Sequence, residues 1–211
     1  PLLKGLDKEI GATPLPRGKL VLPAGLGPLK GVHREYLEGR GINPDEAGRL
    51  WGVQGIGMSA NLRWRIWIPI HFRGEVVSWT TRKISTTGNG AKYIIATPTQ
   101  ERISSKELIA GEDVARNVII ICEGPLDRLR IGPGAVDTGG AAFSQAQVLR
   151  MSKFPVRYIC YDMDRTGQGR AEKLCDILKG FPGKTSIVKL DAKDPGECSR
   201  KEIKQLRGLL K

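Results

Sequence analysis

The chain has 211 residues, 34 Lys+Arg against 22 Asp+Glu and a formal net charge of +12, with 40% hydrophobic and 27% charged residues. That length supports one or two domains with a real core, and that composition excludes a disordered chain. The longest uninterrupted apolar run is Val118 to Cys122, which excludes a membrane-spanning helix of roughly 18 or more such residues.

The opening PLLKGLDKEI lacks the basic head, apolar middle and cleavage site of a secretory signal, so a cytoplasmic location and no membrane partner are expected. The chain starts on Pro1 rather than Met, as a piece excised from a longer protein does. Cysteines 122, 160, 175 and 198 form no Cys-x-x-Cys pair and there are two histidines, so the spacing spells neither a zinc site nor a disulfide framework. Buried thiols are the expectation. The positive balance suits a polyanionic partner such as nucleic acid or nucleotide.

Residues 1–30 are rich in Pro and Gly without periodicity and read as an extended arm or linker. From Gly31, VHREYLEGRG reads as a short helix closed by glycine. Asn43-Pro44-Asp45-Glu46 opens a second, with Asn as N-cap and Pro at N1. Residues 64–71 and 75–82 flank Phe72-Arg73-Gly74 and read as a β-hairpin, and 91–96 adds a third strand. Residues 31–116 are thereby expected to form a basic α+β subdomain. Within it, residues 60–95 hold six basic residues against one acid, and the four tryptophans (51, 64, 67, 79) all lie in this half. Aromatic and basic residues interleaved on a sheet suit base stacking with phosphate neutralisation. Alternate tryptophans also serve as the core beneath a sheet.

From residue 118 short apolar runs alternate with helical patterns. VIIIC (118–122), VRYICY (156–161) and SIVKL (186–190) read as strands. Ser144–Lys153, 167–179 and a final segment capped by Ser199-x-x-Glu202 read as helices. Residues 117–211 are thus expected to form a doubly wound parallel sheet, and the chain as a whole an α/β fold. Ligands bind such sheets at the carboxyl ends of the strands. Glu123 follows the first strand and Asp127 lies one helical turn on; Asp162 and Asp164 follow the second, and Asp191 and Asp194 the third. Carboxylates gathered at one edge repel unless divalent cations neutralise them, and all-oxygen donors favour Mg²⁺ or Mn²⁺ over zinc.

These residues carry a resemblance. Residues 118–197 resemble the Toprim domain, whose signature reads here as Glu123, Gly124, Asp127, then Asp162, Asp164, Gly167. RIWIPIHFRGEVVSWTTRK ending near Arg82, Lys92-Tyr93, YLEGRGINPDEAGRLWGV and DTGGAAFSQAQ further resemble the RNA-polymerase core of DnaG-type primases, over about residues 34–205 and in a compact form such as a phage or plasmid carries. The resemblance implies synthesis of short RNA primers from ribonucleoside triphosphates on single-stranded DNA, Mg²⁺ or Mn²⁺ as cofactor, and a replicative helicase as partner. It places Glu123 nearest the metal that activates the nucleophile, and Asp162 and Asp164, with Asp127 and Asp194, at the triphosphate metals. Arg65, Arg82, Lys92 and Tyr93 would contact nucleotide or template; Lys83 and Arg63 would be general phosphate contacts or solvated. One departure stands out: Asp194-Pro195-Gly196 replaces the family's Asp-Pro-Asp, with Glu197 a candidate substitute. The resemblance does not extend to the family's zinc-binding module or helicase-binding region.

Other readings share these letters. A Toprim nuclease would use the same metals on water, and a non-catalytic single-strand-binding module would rest on the basic aromatic half. A topoisomerase needs a positioned Tyr on a further domain. DMDRTG also fits the nucleophile motif of haloacid-dehalogenase-like phosphatases, but only 45 residues follow Thr166. An EF-hand fails because its twelfth position is Lys173. A phosphate loop at 183–185 fails because Leu178 stands where glycine is required. Gly55-x-Gly57 is too short a signal for a dinucleotide site, and His33 and His71 read as ordinary surface or strand histidines.

Overall fold

The computed structural model describes residues 16–59, 61–85, 90–140 and 142–211. Two sheets are present among them, one antiparallel and one parallel.

The antiparallel sheet runs β1 (Leu26–Gly27), β2 (Gln54–Ile56), β3 (Arg65–Phe72), β4 (Glu75–Lys83), β5 (Tyr93–Ile95), in that order. The hairpin between β3 and β4 turns on Arg73 and Gly74, both at positive φ (55° and 80°), the twist that matches paired strands. Their amides donate to the Asp113 carboxylate at 3.0 and 2.7 Å, which offsets the strain at Arg73. Between β1 and β2, α1 (Gly31–Gly39) and α2 (Pro44–Trp51) cover one face. Asn43 caps α2 by accepting from the Asp45 and Glu46 amides. His33 is a buried helix residue rather than a surface or strand one: Nδ1 accepts from the Lys30 amide and Nε2 donates to the Ile56 carbonyl. A Cβ at Gly55 would stand 2.6 Å from that ring, so close packing explains this glycine.

Residues 16–30, within the Pro/Gly-rich stretch, lie along the sheet. The Arg17 amide donates to the Arg102 carbonyl, Val21 to Gln100, and the Trp79 indole to the Val21 carbonyl at 2.9 Å. The first fifteen residues of the predicted arm lie outside the described residues. Trp51, Trp67 and Trp79 are 5%, 3% and 1% exposed, so these three are core and do not form the base-stacking platform that the sequence allowed.

The parallel sheet has the order β7-β6-β8-β9, from β6 (Val118–Cys122), β7 (Ala135–Asp137), β8 (Val156–Ile159) and β9 (Lys184–Ile187). Helices α3 (Pro125–Ile131), α4 (Gln145–Met151), α5 (Arg165–Lys179) and α6 (Arg200–Gly208) wrap it. The VIIIC run is apolar on both sides for a visible reason. Ile119 and Ile121 pack with Val148 of α4 and Leu174 of α5, while Ile120 and Cys122 pack with Ile131 of α3 and Ile203 of α6. All four cysteines are free and buried. The last strand sits earlier than expected, at 184–187, because its residues are half-exposed or exposed and carry little apolar pattern. The short strands β1, β2 and β7 were not anticipated. Leu126 and Leu129 of α3 pack in one cluster with Leu37, Trp51 and Ile68, so the halves share a core.

Candidate active site

The acids reach one place because β6 and β8 run in the same direction and end at the same edge. Glu123 follows β6 directly, Gly124 and Pro125 start α3, and Asp127 falls in that helix's first turn. Asp162 lies three residues beyond the last residue of β8. Asp164 caps α5, accepting from the Gly167 amide at 2.7 Å. Gly167 must be small, since a Cβ there would collide with the Asp162 carbonyl and stand 3.0 Å from Glu123 Oε1. Asp194 arrives from the connection after β9, its Oδ1 accepting from the Glu197 amide at 2.9 Å. A Cβ on Gly196 would stand 3.0 Å from Asp194 Oδ1, 3.5 Å from Asp127 Oδ1 and 3.7 Å from an Arg40 Nη, which puts this glycine at the edge of the acid group.

The opposite wall comes from the antiparallel sheet. Arg82 of β4 is 7% exposed. Its Nε donates to the Tyr36 hydroxyl at 2.7 Å and its guanidinium lies 5.0 Å from the centre of the Tyr93 ring. Glu123, Asp127, Asp162 and Asp194 line one cleft with Arg82, Lys92 and Tyr93. Two predicted residues stand outside that lining. Asp164 is spent on capping α5, and Arg65, 5% exposed, donates to the carbonyls of Thr81 and Ala91. Asp191 is exposed, and its amide donates to Glu202.

The carboxylates strain against one another. Burial, and then Asp194, Asp162 and Asp137, push the Asp127 carboxyl up to about 7. Burial followed by Asp194 and Asp164 raises Asp162, and burial followed by Asp162 raises Glu123. Glu123 Oε1 is buried with no hydrogen-bond partner. Among the described residues no three or more Asp, Glu, His or Cys close into a ready-made metal cage. The donor set still fits a hard divalent cation held openly: every donor is a carboxylate oxygen, one is orphaned, and Arg170, Lys92 and Lys193 offset only part of the like charge, so that Glu123, Asp127 and Asp162 all stay raised. Mg²⁺ is commonly held by one or two carboxylates with water and substrate phosphate completing the shell.

Four cleft-side residues were missed in the sequence. Asp137, at the end of β7, pairs with Arg128 at 2.7 Å, both side chains 1–2% exposed, and the Arg128 guanidinium sits 4.5 Å from the centre of the Trp51 ring. The available signal was the strand-end position of Asp137, hidden because β7 is three residues long. Arg40, at the end of α1, completes the cationic wall, and Tyr36 supports it from behind, its hydroxyl accepting from Arg82 and its ring centre 5.6 Å from the Arg40 guanidinium.

Residues 120–199 match the Toprim-like family. The fold is similar to that of the Aquifex aeolicus primase zinc-binding and RNA polymerase domains, at TM-score 0.72 and 22% identity over 85% of this chain and 56% of that one. It is similar to the RNA polymerase domain of Mycobacterium tuberculosis primase DnaG, at 0.66 and 20% over 86% and 76%. The primase fragment of the bacteriophage T7 primase-helicase protein matches at 0.58 and 17% over 92% and 82%. This chain thus spans little more than half of the Aquifex structure. No curated protein matches the sequence. The chain has the α/β fold of bacterial and phage primase catalytic cores, with a Toprim-like second half.

Proposed function

We propose that this chain is the catalytic core of a DNA primase, a nucleotidyltransferase that joins ribonucleoside triphosphates into short RNA primers on single-stranded DNA. The observation that carries this reading is the cleft itself, where four carboxylates of a parallel-sheet edge face Arg82 and Lys92 from a separate sheet. A triphosphate needs both walls, because its charge requires cations and its transfer requires metal ligands.

In the reaction a primer 3′-hydroxyl attacks the α-phosphate in line and pyrophosphate leaves, with no side-chain nucleophile. Glu123, Asp127, Asp162 and Asp194 would hold Mg²⁺ or Mn²⁺, which supplies Lewis acidity to the phosphate and lowers the pKa of the hydroxyl. Glu123 lines the cleft with its proton affinity raised by burial and by Asp162, which suits its carboxylate to accept a hydrogen bond from the hydroxyl. Arg82, held by Tyr36 and Tyr93, presents its guanidinium to a phosphate without reordering, and Lys92 adds a point charge. Asp164 acts through α5, and Arg65 by fixing the strand from which Arg82 projects. Template DNA is the proposed polymer partner; the M. tuberculosis domain has been solved with double-stranded DNA. A helicase is the proposed protein partner, on the likeness to a fragment of a primase-helicase.

Labelled ribonucleotide incorporation on a single-stranded template with Mg²⁺ or Mn²⁺ tests the reading. Short RNA products that vanish in Asp162→Ala are expected. Metal-dependent strand cutting without synthesis would assign a Toprim nuclease instead. Template binding without either reaction, even with a pre-annealed primer, would assign a binding module.

A further inference from the structure

We infer that a basic groove beside the catalytic cleft holds the phosphodiester backbone of single-stranded template DNA, an assignment that rests on the primase reading above. The groove lies between α2 and α6, with the end of α3 as its floor, and it carries Arg130, Arg200, Lys204 and Arg207 against one carboxylate, Glu46.

Two of the four cations are fixed in place by backbone carbonyls. Arg130 donates to the carbonyls of Gly41 and Cys198, and Arg207 donates from Nε to the Ile131 carbonyl at 2.6 Å and from an Nη to the Arg130 carbonyl at 3.2 Å. Carbonyls orient a guanidinium but do not neutralise it. Arg130 Nε is buried without a partner, and burial with Arg207 and Arg200 nearby pulls Arg130 below its ordinary value. Like charges held together in this way are costly until an anion joins them. Arg200 and Lys204 are exposed and four residues apart on α6, so they extend the charge along one helix face.

The floor narrows the choice of anion. Leu50, 38% exposed, with exposed Pro133 and half-buried Leu210 also in the lining, offers apolar surface that a free phosphate would not use. A single strand uses both, with phosphates on the cationic rim and sugars or bases on the floor. The groove also continues the cleft. Arg40 lines the cleft, its neighbour Gly41 lines the groove, and Arg130 is bonded to that glycine. Template reaching the acids would thus leave past a second set of cations.

The test is fluorescence anisotropy of the chain with labelled single-stranded DNA of about 8 and about 30 nucleotides, over a salt series. The parent is compared with Arg200→Glu/Lys204→Glu and with Arg200→Gln/Lys204→Gln; both positions are exposed, and a circular dichroism melt checks folding. The charge reversal is expected to weaken binding of the long strand roughly tenfold and to flatten its salt slope by about 1.4, at about 0.7 per phosphate contact, with a far smaller effect on the short strand. The neutral pair should show a smaller loss in the same direction. A reversal variant with the parent's affinity and slope on the long strand overturns the inference. Unchanged DNA binding with loss of poly-glutamate binding overturns it in favour of an acidic protein segment. A parent that binds no single-stranded DNA at low salt defeats the primase reading itself, a result distinct from either.

Discussion

The two walls of the cleft are charged oppositely and are built by different means. In the parallel sheet β6, β7 and β8 share a direction, so Glu123, Asp137 and Asp162 reach one edge through chain topology alone. In the antiparallel sheet direction alternates, and Arg82 is placed by register, opposite Tyr93 across β4 and β5. Its aim is then fixed by a hydrogen bond to Tyr36. Backbone direction concentrates repelling acids, whereas side-chain packing disperses cations and holds each one separately. The acid wall is therefore expected to be sensitive to every member and the cationic wall to tolerate single losses.

The largest effect should come from Asp162→Ala, which is expected to lower primer synthesis about a thousandfold or more, several kcal/mol of transition-state stabilisation, with template affinity within about twofold. Next is Asp137→Ala, which strands the Arg128 charge between the walls and should cost about 3 kcal/mol in denaturant unfolding. Arg128→Met with Asp137→Leu should recover most of that loss, and a double variant as unstable as the single would show that the pair does more than balance charge. Arg82→Ala should reduce kcat/KM for nucleotide about ten- to a hundredfold, the worth of one charged hydrogen-bonding group. If it matched Asp162→Ala, the contrast between the walls would collapse.

Proton linkage sharpens the comparison further. Asp127 titrates near 7 in the fold against an ordinary 3.8, raised by burial and by Asp194, Asp162 and Asp137. The folded chain therefore binds more protons than the unfolded one across that window, and metal-free stability should fall as pH rises through it. Mg²⁺ should raise the melting temperature by several degrees at about pH 8 and by less at about pH 5.5, checked by differential scanning fluorimetry. Equal shifts at both would remove the carboxylates as the binding groups. Smallest is Asn43→Ala, the cap of α2, expected to cost about 1 kcal/mol in stability with little change in synthesis.

The acid wall was far more legible in the sequence than the cationic one. A continuous apolar run such as VIIIC marks a strand buried on both faces, and its end marks the edge, so Glu123 and Asp162 could be located by counting. Asp137 escaped because three residues carry no period. Arg65 and Arg82 lie on neighbouring strands of the same basic stretch, and charge alone does not tell which one faces a cleft. That depends on Tyr36, 46 residues from Arg82 in the chain. The tryptophans were ambiguous for the same reason, since a strand's two faces differ in cover and not in composition.

The core shared by α3, α1 and β3 has a consequence for motion. Leu126 and Leu129, on the helix that carries Asp127, are buried among Leu37, Trp51 and Ile68 of the other half. Opening the halves like a jaw would expose that apolar surface, so hinge bending is a costly coordinate for this molecule. Under the proposed function, substrate exchange would then proceed through side chains and loops at the mouth of the cleft. On the same proposal, the distance between the proposed metal ligands and phosphate contacts would be set once, at folding, and not renewed on each turnover.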